Sequence, residues 1–235
     1  MIKEAIILAG GLGTRLRTVV ADTPKCMASV AGNPFLHYVI AHLQKQGIHK
    51  FIFALGYKSE VIASYLMSEL PEGSWKAVIE DEPLGTGGAI LAAAKKASAK
   101  NILVLNGDTL FCADTVALTD AHIGHNAACT VCLKPMQQFS RYGAVELQED
   151  NSIASFTEKK FYEKGYINGG VYALDVEQFL QEALPEKFSF EKDYLEKKTN
   201  QQKLYGFVQD KYFIDIGIPE DYERAQKEFA DGLMC

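Results

Sequence analysis

Three glycines and two cations near the start of the chain could bind phosphate groups. Gly10, Gly11 and Gly13 follow an apolar run, and Arg15 and Lys25 come shortly after them. Glycine lets the backbone approach a ligand closely, so that bare N–H groups can donate to phosphate oxygens. A guanidinium matches those oxygens with two parallel hydrogen bonds, and an ammonium adds a point charge. The combination predicts a nucleoside triphosphate site at the carboxyl end of a strand.

Two common phosphate-binding motifs do not fit this loop. A Walker A loop needs a lysine directly after its last glycine, and none stands there. A dinucleotide-binding fingerprint needs a third glycine where Leu16 stands, and the acidic residue expected about twenty positions later is missing. The plain alternative is a tight strand-to-helix turn with one surface arginine, but it leaves the coincidence of glycines, Arg15 and Pro24-Lys25 unexplained.

Two aspartates are candidate metal ligands. Asp108 ends the motif Asn106-Gly107-Asp108 after the apolar run at 102–105, and Asp215 lies between two isoleucines. Mg²⁺ commonly takes one or two protein carboxylates together with substrate phosphate oxygens. An aspartate in an apolar strand is costly to bury unless a cation or donors compensate it. We therefore predict that both hold Mg²⁺, while a helix cap is the alternative for Asp108 alone.

A second glycine-rich segment runs from Glu80 to Ala89. Thr86 could cap a helix that begins at Gly87, which explains the threonine but not the density of glycine around it. Glycine at these positions would let the loop pack flat against a ring. The segment is therefore a second candidate ligand contact.

The elements that must position these residues alternate between strands and helices in the first half. Apolar runs predict strands at 5–9, 51–55, 77–79 and 102–105, and helical patterns cover 35–46, 59–69, 86–97 and 115–125. This alternation predicts a mostly parallel sheet with helices on both faces, which binds ligands at the carboxyl ends of its strands. Closely spaced strands at 127–133, 143–147, 152–157 and 167–174 predict an antiparallel or mixed extension, and Pro219 opens a last helix through 230.

Composition and charge exclude several classes. The chain has 235 residues, a hydrophobic content of 48% and a net charge of −6. These values predict a globular core and argue against general binding to nucleic acid or to an anionic membrane. No leader-like or membrane-length apolar run stands out, and five scattered cysteines indicate reduced thiols, so we expect a cytoplasmic protein. Whether it forms a homo-oligomer is left open.

The order of the motifs resembles that of the sugar-1-phosphate nucleotidyltransferases along nearly the whole chain. The motifs are Leu8-Ala-Gly-Gly-Leu-Gly-Thr-Arg-Leu16, Pro24-Lys25, Glu80-x-x-Pro-Leu-Gly-Thr-Gly-Gly88, Asn106-Gly-Asp108, Glu158-Lys159, Asn168-Gly-Gly170 and Asp215-Ile-Gly217. The resemblance implies an α/β, Rossmann-like three-layer sandwich with a mixed, mostly parallel central sheet, the nucleotide-diphospho-sugar transferase fold. It implies one domain over 1–235, with a nucleotide-binding half at about 1–110 and a sugar-phosphate-binding half at about 111–235.

The same resemblance implies the reaction and the residues that carry it. A sugar 1-phosphate attacks the α-phosphate of a nucleoside triphosphate in line, without a covalent enzyme intermediate. The implied catalytic residues are Arg15 on the leaving pyrophosphate, Lys25 near the α-phosphate, and Asp108 and Asp215 on Mg²⁺. The implied nucleotide-binding residues are Leu8, Ala9, Gly10, Gly11, Gly13, Thr14, Glu80, Pro83, Gly85, Thr86, Asn106 and Gly107. The implied sugar-phosphate-binding residues are Gly143, Glu158, Lys159, Asn168 and Gly169; Lys160 stands where the family often has proline.

Glu80 is the residue that bears on the choice of base, since family members that use UTP or dTTP usually carry glutamine at the similar position. An ionised carboxylate only accepts hydrogen bonds, and guanine offers two adjacent donors, so Glu80 favours GTP. The alternative is a solvated glutamate in an acidic loop.

The segments 141–146, 167–172, 187–191 and 212–217 resemble the branch that converts GTP and D-glycero-α-D-manno-heptose 1-phosphate into GDP-heptose for surface glycans. Mannose 1-phosphate is the rival sugar, and a UTP- or dTTP-dependent member is a further alternative. Arg141, Tyr142 and Lys192 could read the extra hydroxyl or be plain surface residues.

Proteins from other classes remain as alternatives. A catalytically inactive regulatory subunit that binds nucleotide sugars would share the fold, but it should lose the charged residues first, and all of them are present here. A Rossmann-type dehydrogenase is disfavoured by the missing third glycine. The sequence therefore favours an enzyme whose partners are GTP and a sugar 1-phosphate.

Overall fold

The structure, a computed structural model, describes residues 1–11, 16, 20, 23–199 and 203–232. The strands of this part of the chain are β1 (Glu4–Leu8), β2 (Ser29–Val30), β3 (Asn33–Pro34), β4 (Lys50–Leu55), β5 (Trp75–Ile79), β6 (Asn101–Asn106), β7 (Thr109–Phe111), β8 (Cys129–Phe139), β9 (Ala144–Leu147), β10 (Ile153–Phe156), β11 (Tyr162–Asp175), β12 (Leu204–Val208) and β13 (Phe213–Asp215). The helices are α1 (Phe35–Lys45), α2 (Ser59–Glu69), α3 (Gly85–Ala94), α4 (Thr115–Gly124), α5 (Val176–Gln181) and α6 (Pro219–Ala230). A 3₁₀ turn covers Lys25–Met27 and a π-helix covers Phe190–Glu196.

Nine of the described strands form one central sheet. Its strands are hydrogen-bonded in the order β10, β9, β11, β6, β1, β4 and β5. In addition, β8 pairs with β11, and β12 pairs with β8. The strands β6, β1, β4 and β5 are parallel to one another, whereas β11 is antiparallel to β6, β8 and β9. The expected mixed sheet with a parallel first half and an antiparallel extension is confirmed. Both halves of the chain contribute strands to it, and the single-domain organisation stays a prediction.

Each face of this sheet packs against its own layer of helices. Ile6 and Val104 belong to a buried cluster with residues of α3 and α5, while Ile7 and Leu105 belong to a second cluster with residues of α1, α2 and α6. Successive strand residues point to opposite faces, so apolar runs such as that of β1 are buried on both sides. The result is the three-layer arrangement that the alternation of elements predicted.

Several short elements were missed by the sequence patterns. These are β7 with three residues, β12 with five and α5 with six, which are short for a clear periodicity, whereas β13 lies where the residues around Asp215 indicated a strand. The helix expected at 86–97 begins at Gly85 and ends at Ala94. None of the helices in the described ranges is both long and apolar enough to span a membrane.

The cysteines depart in part from the expectation of reduced thiols. Cys26, Cys129 and Cys132 are free and buried, as expected for core thiols. Cys112 is disulfide-bonded, so the expectation is wrong at that position. A count of scattered cysteines does not reveal which of them are close in space, since pairing depends on the tertiary structure.

Candidate functional site

A cavity of about 600 Å³ opens at the edge of the sheet where β1, β4 and β6 end. The carboxyl ends of neighbouring parallel strands meet at one edge, so the segments that follow these strands converge there. The cavity-lining residues that the sequence singled out are Leu8, Gly10, Gly11, Glu80, Pro83, Gly85, Thr86, Asn106 and Asp108. The structure therefore brings together the first glycine-rich loop, the second glycine-rich segment and the Asn106–Asp108 motif.

Backbone hydrogen bonds join the segments around this cavity. The N–H of Gly107 donates to the carbonyl of Leu8 at 2.8 Å, and the N–H of Ala9 donates to the carbonyl of Ala54 at 2.9 Å. A Cβ added to Gly107 would lie 2.9 Å from the Leu8 oxygen, so only glycine allows this close approach. Ala9 and Gly107 thus hold the walls together without lining the cavity themselves.

Five further residues line the cavity: Asp81 and Ala89 belong to the second glycine-rich segment, and Ala54, Gly56 and Tyr57 were missed by the sequence analysis. Gly56 and Tyr57 directly follow β4, so the rule that ligands bind at strand carboxyl ends would have found them. A Cβ on Gly56 would lie 2.8 Å from the carbonyl oxygen of Gly10, which explains the glycine there. Gly13, Thr14 and Arg15 lie outside the described residues.

Glu80 is held in the cavity wall by its own loop. Its Oε2 accepts a hydrogen bond from the N–H of Leu84 at 3.0 Å, and its Oε1 would lie 3.1 Å from a Cβ on Gly10. Burial raises the pKa of the Glu80 carboxyl, and the Leu84 N–H opposes that rise only in part. Glu80 is therefore not a fully solvated residue, and one of its two oxygens is engaged by the chain.

Lys25, Asp108 and Asp215 form one charged cluster beside the cavity. The Nζ of Lys25 lies 2.6 Å from Oδ2 of Asp108 and 3.1 Å from Oδ1 of Asp215. The antiparallel pairing of β13 with β7 sets Asp215 opposite Thr109 and thus brings the two carboxylates together. Burial alone would lower the pKa of Lys25, but the two carboxylates raise it, so the ammonium is held in its charged form. Only Asp108 of the three lines the cavity.

Asp215 has a second donor besides Lys25. Its Oδ1 accepts from the N–H of Gly217 at 2.8 Å, and a Cβ on Gly217 would lie 2.9 Å from that oxygen and 3.1 Å from Nζ of Lys25. The cost of burying this strand-borne carboxylate is therefore met by a cation and a backbone donor. Glycine at 217 leaves the space that the cluster occupies.

The second glycine-rich segment packs against the chain itself. A Cβ on Gly87 would lie 2.2 Å from the ring of Phe188, and one on Gly88 would lie 2.2 Å from the carbonyl oxygen of Glu186. Gly85 has a φ of +74° and also abuts the Phe188 carbonyl. A ring does lie against this loop, as the glycines indicated, but it is the side chain of Phe188.

Thr86 is not the cap of α3. The helix begins at Gly85 with Leu84 before it, and no side chain caps it. The Thr86 hydroxyl instead donates to Oε2 of Glu191 at 2.7 Å and accepts from the N–H of Phe190 at 2.9 Å. The expectation of a threonine cap is wrong, because two partners distant in sequence take its hydroxyl.

The predicted sugar-phosphate residues do not line this cavity. Glu158 and Lys159 are exposed, and Gly143 lets the loop pass so close that a Cβ would lie 2.3 Å from the Thr157 carbonyl. Asn168 donates from Nδ2 to the hydroxyl of Tyr172 at 2.9 Å, and its Oδ1 accepts from the N–H of Gly170. A Cβ on Gly169 would lie 2.4 Å from the ring of Phe111. A Cβ on Gly143 would also lie 3.9 Å from the carbonyl carbon of Glu158, so these two predicted residues lie side by side.

The residues left unassigned by the sequence differ in their surroundings. Arg141 is ion-paired with Asp221 of α6, and Tyr142 packs edge-on against Phe213 of β13 at 6.0 Å between ring centroids. Burial, together with the charge of Asp215, raises the pKa of Tyr142 to about 12. Lys192 is exposed. Arg141 is thus engaged in joining two elements, beside the strand that carries Asp215.

Comparisons with known proteins show which chains this one is similar to. A match to the family described as nucleotidyl transferase covers residues 4–232. The chain is 51% identical to the D-glycero-α-D-manno-heptose 1-phosphate guanylyltransferase of Aneurinibacillus thermoaerophilus, over 96% of this chain and 97% of that protein. It is 32% identical to the mannose-1-phosphate guanylyltransferase of Mycobacterium tuberculosis, over 98% of this chain but 65% of that protein. The crystal structure of HddC from Yersinia pseudotuberculosis complexed with GMP-PN superimposes with a TM-score of 0.87 at 37% identity, covering 97% of this chain and 100% of that one.

Proposed function

The chain belongs to the nucleotidyl transferase family, and on that premise we propose that it transfers GMP from GTP to D-glycero-α-D-manno-heptose 1-phosphate, releasing pyrophosphate. The observation that carries the proposal is the cluster of Lys25, Asp108 and Asp215 at the wall of a cavity of nucleotide size. Phosphoryl-type transfer needs positioning and charge neutralisation more than it needs a protein nucleophile. This cluster supplies positioning and charge neutralisation without a protein nucleophile.

In the proposed reaction, an oxygen of the sugar phosphate attacks the α-phosphorus of GTP while the bond to pyrophosphate breaks. The backbone at Gly10 and Gly11 faces the phosphates, where glycine leaves room for a close approach. Lys25 has three N–H donors, of which two are directed at Asp108 and Asp215, and the third is proposed to donate to a phosphate oxygen. Arg15, which lies outside the described residues, is proposed to hold the leaving pyrophosphate.

The donor set fits Mg²⁺. Asp108 and Asp215 converge on one cation, the Lys25 ammonium, and two carboxylates completed by substrate oxygens are a common Mg²⁺ environment. No group of three or more acidic, histidine or cysteine side chains in the described ranges forms a metal site of its own, so substrate oxygens would have to complete the coordination. When bound, the ion supplies neutralisation of phosphate charge.

Glu80 is proposed to select guanine. Its Oε2 already accepts from Leu84, and lone pairs remain on both carboxylate oxygens to accept from the base. Uracil and thymine have one donor between two acceptors, and a carboxylate that meets those acceptors is repelled. This arrangement favours GTP over UTP and dTTP.

The choice of the heptose over mannose is supported by the relatives. Identity to the heptose 1-phosphate enzyme is 51% over almost the full length of both chains, against 32% over 65% of the mannose 1-phosphate enzyme. Lys159 is proposed to bind the sugar phosphate because its ammonium is exposed, with Glu158, Gly143, Asn168 and Gly169 around the sugar. A role in surface glycan synthesis, a cytoplasmic location and the oligomeric state stay predictions.

The test is pyrophosphate release by the purified protein with Mg²⁺, in which GTP, UTP, dTTP, CTP and ATP are each combined with the heptose 1-phosphate and with mannose 1-phosphate. Release that is fastest with GTP and the heptose is expected. Faster release with mannose 1-phosphate would overturn the sugar assignment, and a preference for UTP or dTTP would overturn the role of Glu80. Tight GTP binding without turnover in any combination would favour the regulatory subunit.

A further inference from the structure

A half-buried carboxylate that is not among the predicted site residues links the two halves of the chain. Glu191 lies in the π-helix Phe190–Glu196, and its Oε2 accepts from the Thr86 hydroxyl at 2.7 Å and from the Ser189 hydroxyl at 3.1 Å. Its Oε1 accepts from the hydroxyl of Tyr172 on β11 at 3.4 Å. Thr86 lines the cavity, so one side chain connects the cavity wall to the antiparallel part of the sheet.

The connection continues to a predicted sugar-binding residue. The Tyr172 hydroxyl, which donates to Glu191, accepts from Nδ2 of Asn168 at 2.9 Å, and Oδ1 of Asn168 accepts from the N–H of Gly170. Tyr172 is only 1% exposed, so the middle of this half-buried path lies in the interior, where its hydrogen bonds restrict the side chains. The amide of Asn168 is therefore oriented from the side of Glu191.

The backbone around Glu191 holds the second glycine-rich segment as well. The N–H of Phe188 donates to the Leu84 carbonyl at 3.0 Å, and the N–H of Gly87 donates to the Phe188 carbonyl at 3.0 Å. The Phe190 N–H donates to the Thr86 hydroxyl. The segment 186–191 thus packs behind the cavity wall, and the charged side chain of Glu191 contacts Thr86 in that wall.

We propose that Glu191 is a positioning residue that sets Thr86 in the nucleotide cavity and, through Tyr172, Asn168 in the sugar site. The part of this inference that concerns Asn168 and the sugar site rests on the proposed function. Glu191 touches neither substrate in this scheme; its carboxylate accepts from donors on both sides and so fixes the distance between the two binding regions. Glutamine replaces it only in part, because the charge is lost and the amide nitrogen cannot accept from the hydroxyls that donate to the carboxylate.

The experiment measures the Kd for GTP by direct titration and the KM for the heptose 1-phosphate by pyrophosphate release, with thermal unfolding as a check of folding. Glu191→Gln should raise both constants, the Kd for GTP by about tenfold, as expected for a lost charge-assisted hydrogen bond. Thr86→Val should raise mainly the Kd for GTP, and Thr86→Ser should restore it. Tyr172→Phe should raise mainly the KM for the sugar phosphate, and by less, because its bond to Glu191 is the longer one.

Glu196→Gln is the matched control, since it makes the same change on an exposed residue of the same π-helix. The inference is overturned if Glu191→Gln changes only kcat or thermal stability, or if Tyr172→Phe raises the Kd for GTP as much as the KM for the sugar phosphate. Failure of the wild-type protein to use this substrate pair would sink the proposed function instead. In that case the Kd of each variant for whichever triphosphate the wild type binds would decide the inference by itself.

Discussion

The glycine-rich segment at Gly10 and Gly11 and the one at Gly85 to Gly88 look alike in sequence but face different neighbours. Gly11 lines the cavity, and a Cβ there would meet no described atom within 4 Å, whereas a Cβ on Gly10 would lie 3.2 Å from the backbone nitrogen of Gly56. A Cβ on Gly88 would lie 2.2 Å from the Glu186 carbonyl, so glycine there leaves space for the chain. Dense glycine thus indicates close approach, and only the tertiary structure tells whether a ligand or the protein approaches.

These two regions should respond differently to substitution. Changes on the ligand-facing side should reduce turnover or binding and leave folding intact, whereas changes on the chain-facing side should reduce stability first.

The largest effect is expected from Asp108→Asn on the ligand-facing side. Turnover should fall by about 100-fold or more, as is common when an electrostatic contact to a developing charge is removed. Stability should change little, because Lys25 keeps its ion pair with Asp215 at 3.1 Å. Steady-state kinetics with saturating Mg²⁺, GTP titration and thermal unfolding measure the three quantities.

Asp120→Asn serves as the control, since Asp120 is exposed on α4. If Asp108→Asn kept its turnover within about threefold of wild type and left GTP affinity unchanged, Asp108 would neither hold the metal nor shape the charge of the site.

On the chain-facing side, Gly88→Ala should lower the free energy of unfolding by about 2–3 kcal/mol, because the added methyl group overlaps backbone that cannot rotate away. Gly11→Ala should change it by less than about 0.5 kcal/mol and instead weaken GTP binding. Denaturant unfolding and GTP titration of both variants measure the contrast. Gly124→Ala is the control, as its Cβ would meet nothing within 4 Å. Equal destabilisation by Gly11→Ala and Gly88→Ala would erase the difference between the segments.

Glu80 lies where the two regions meet, and Glu80→Gln should separate its two roles. The glutamine oxygen can still accept from Leu84, while its amide nitrogen would face the donors of guanine, so the preference for GTP over UTP should fall by about tenfold. In the wild type, GTP affinity should decline as the pH falls through the raised pKa of Glu80, because protonation removes the acceptor. The variant should show no such decline.

Glu82→Gln is the control for this change, since Glu82 is exposed and does not line the cavity. An unaltered nucleotide preference in Glu80→Gln would leave Glu80 with a role in the loop alone.

The smallest effect is expected behind the chain-facing segment, in the aromatic cluster around Phe190. The Tyr194 hydroxyl is buried without a hydrogen-bond partner among the described residues, so Tyr194→Phe should raise the free energy of unfolding by up to about 1 kcal/mol. Tyr172→Phe in the same cluster should lower it by about 1 kcal/mol, since that hydroxyl contacts Asn168 and Glu191. Chemical denaturation of both variants tests this, and a loss in Tyr194→Phe would reveal a partner for its hydroxyl.

Much of the cavity could be predicted, because its residues follow buried strands. Leu8, Gly10 and Asn106 lie at or just beyond the ends of β1 and β6, and parallel strands must end at the same edge. Gly56 and Tyr57 obey the same rule and were missed only because no charged or glycine-rich motif marked them. We expected Asp108 and Asp215 to lie close together because both were predicted to hold Mg²⁺. The pairing of β7 with β13 brings them together.

Other parts could not be predicted from local patterns. The partners of the Thr86 hydroxyl lie 104 and 105 positions away in the sequence. Helix-capping rules consider only neighbouring residues, and they therefore suggested a cap. The π-helix that carries Glu191 has no period that a sequence pattern shows, and its helical turn is irregular. The sugar-half residues were named by resemblance, and none of them lines the cavity at the ends of β1, β4 and β6.

The sequence by itself determined the two-sided burial of the parallel strands, the edge at which ligands bind and the charged residues available there, because these depend on apolar runs and on the order of elements. The tertiary structure alone decided which neighbour each glycine faces, which oxygen of Glu80 accepts from Leu84 and that Glu191 joins Thr86 to Tyr172. The physical reason is range: the periodicity of a strand or helix is written in adjacent residues, whereas a hydrogen bond or a close approach between distant segments exists only after the chain has folded.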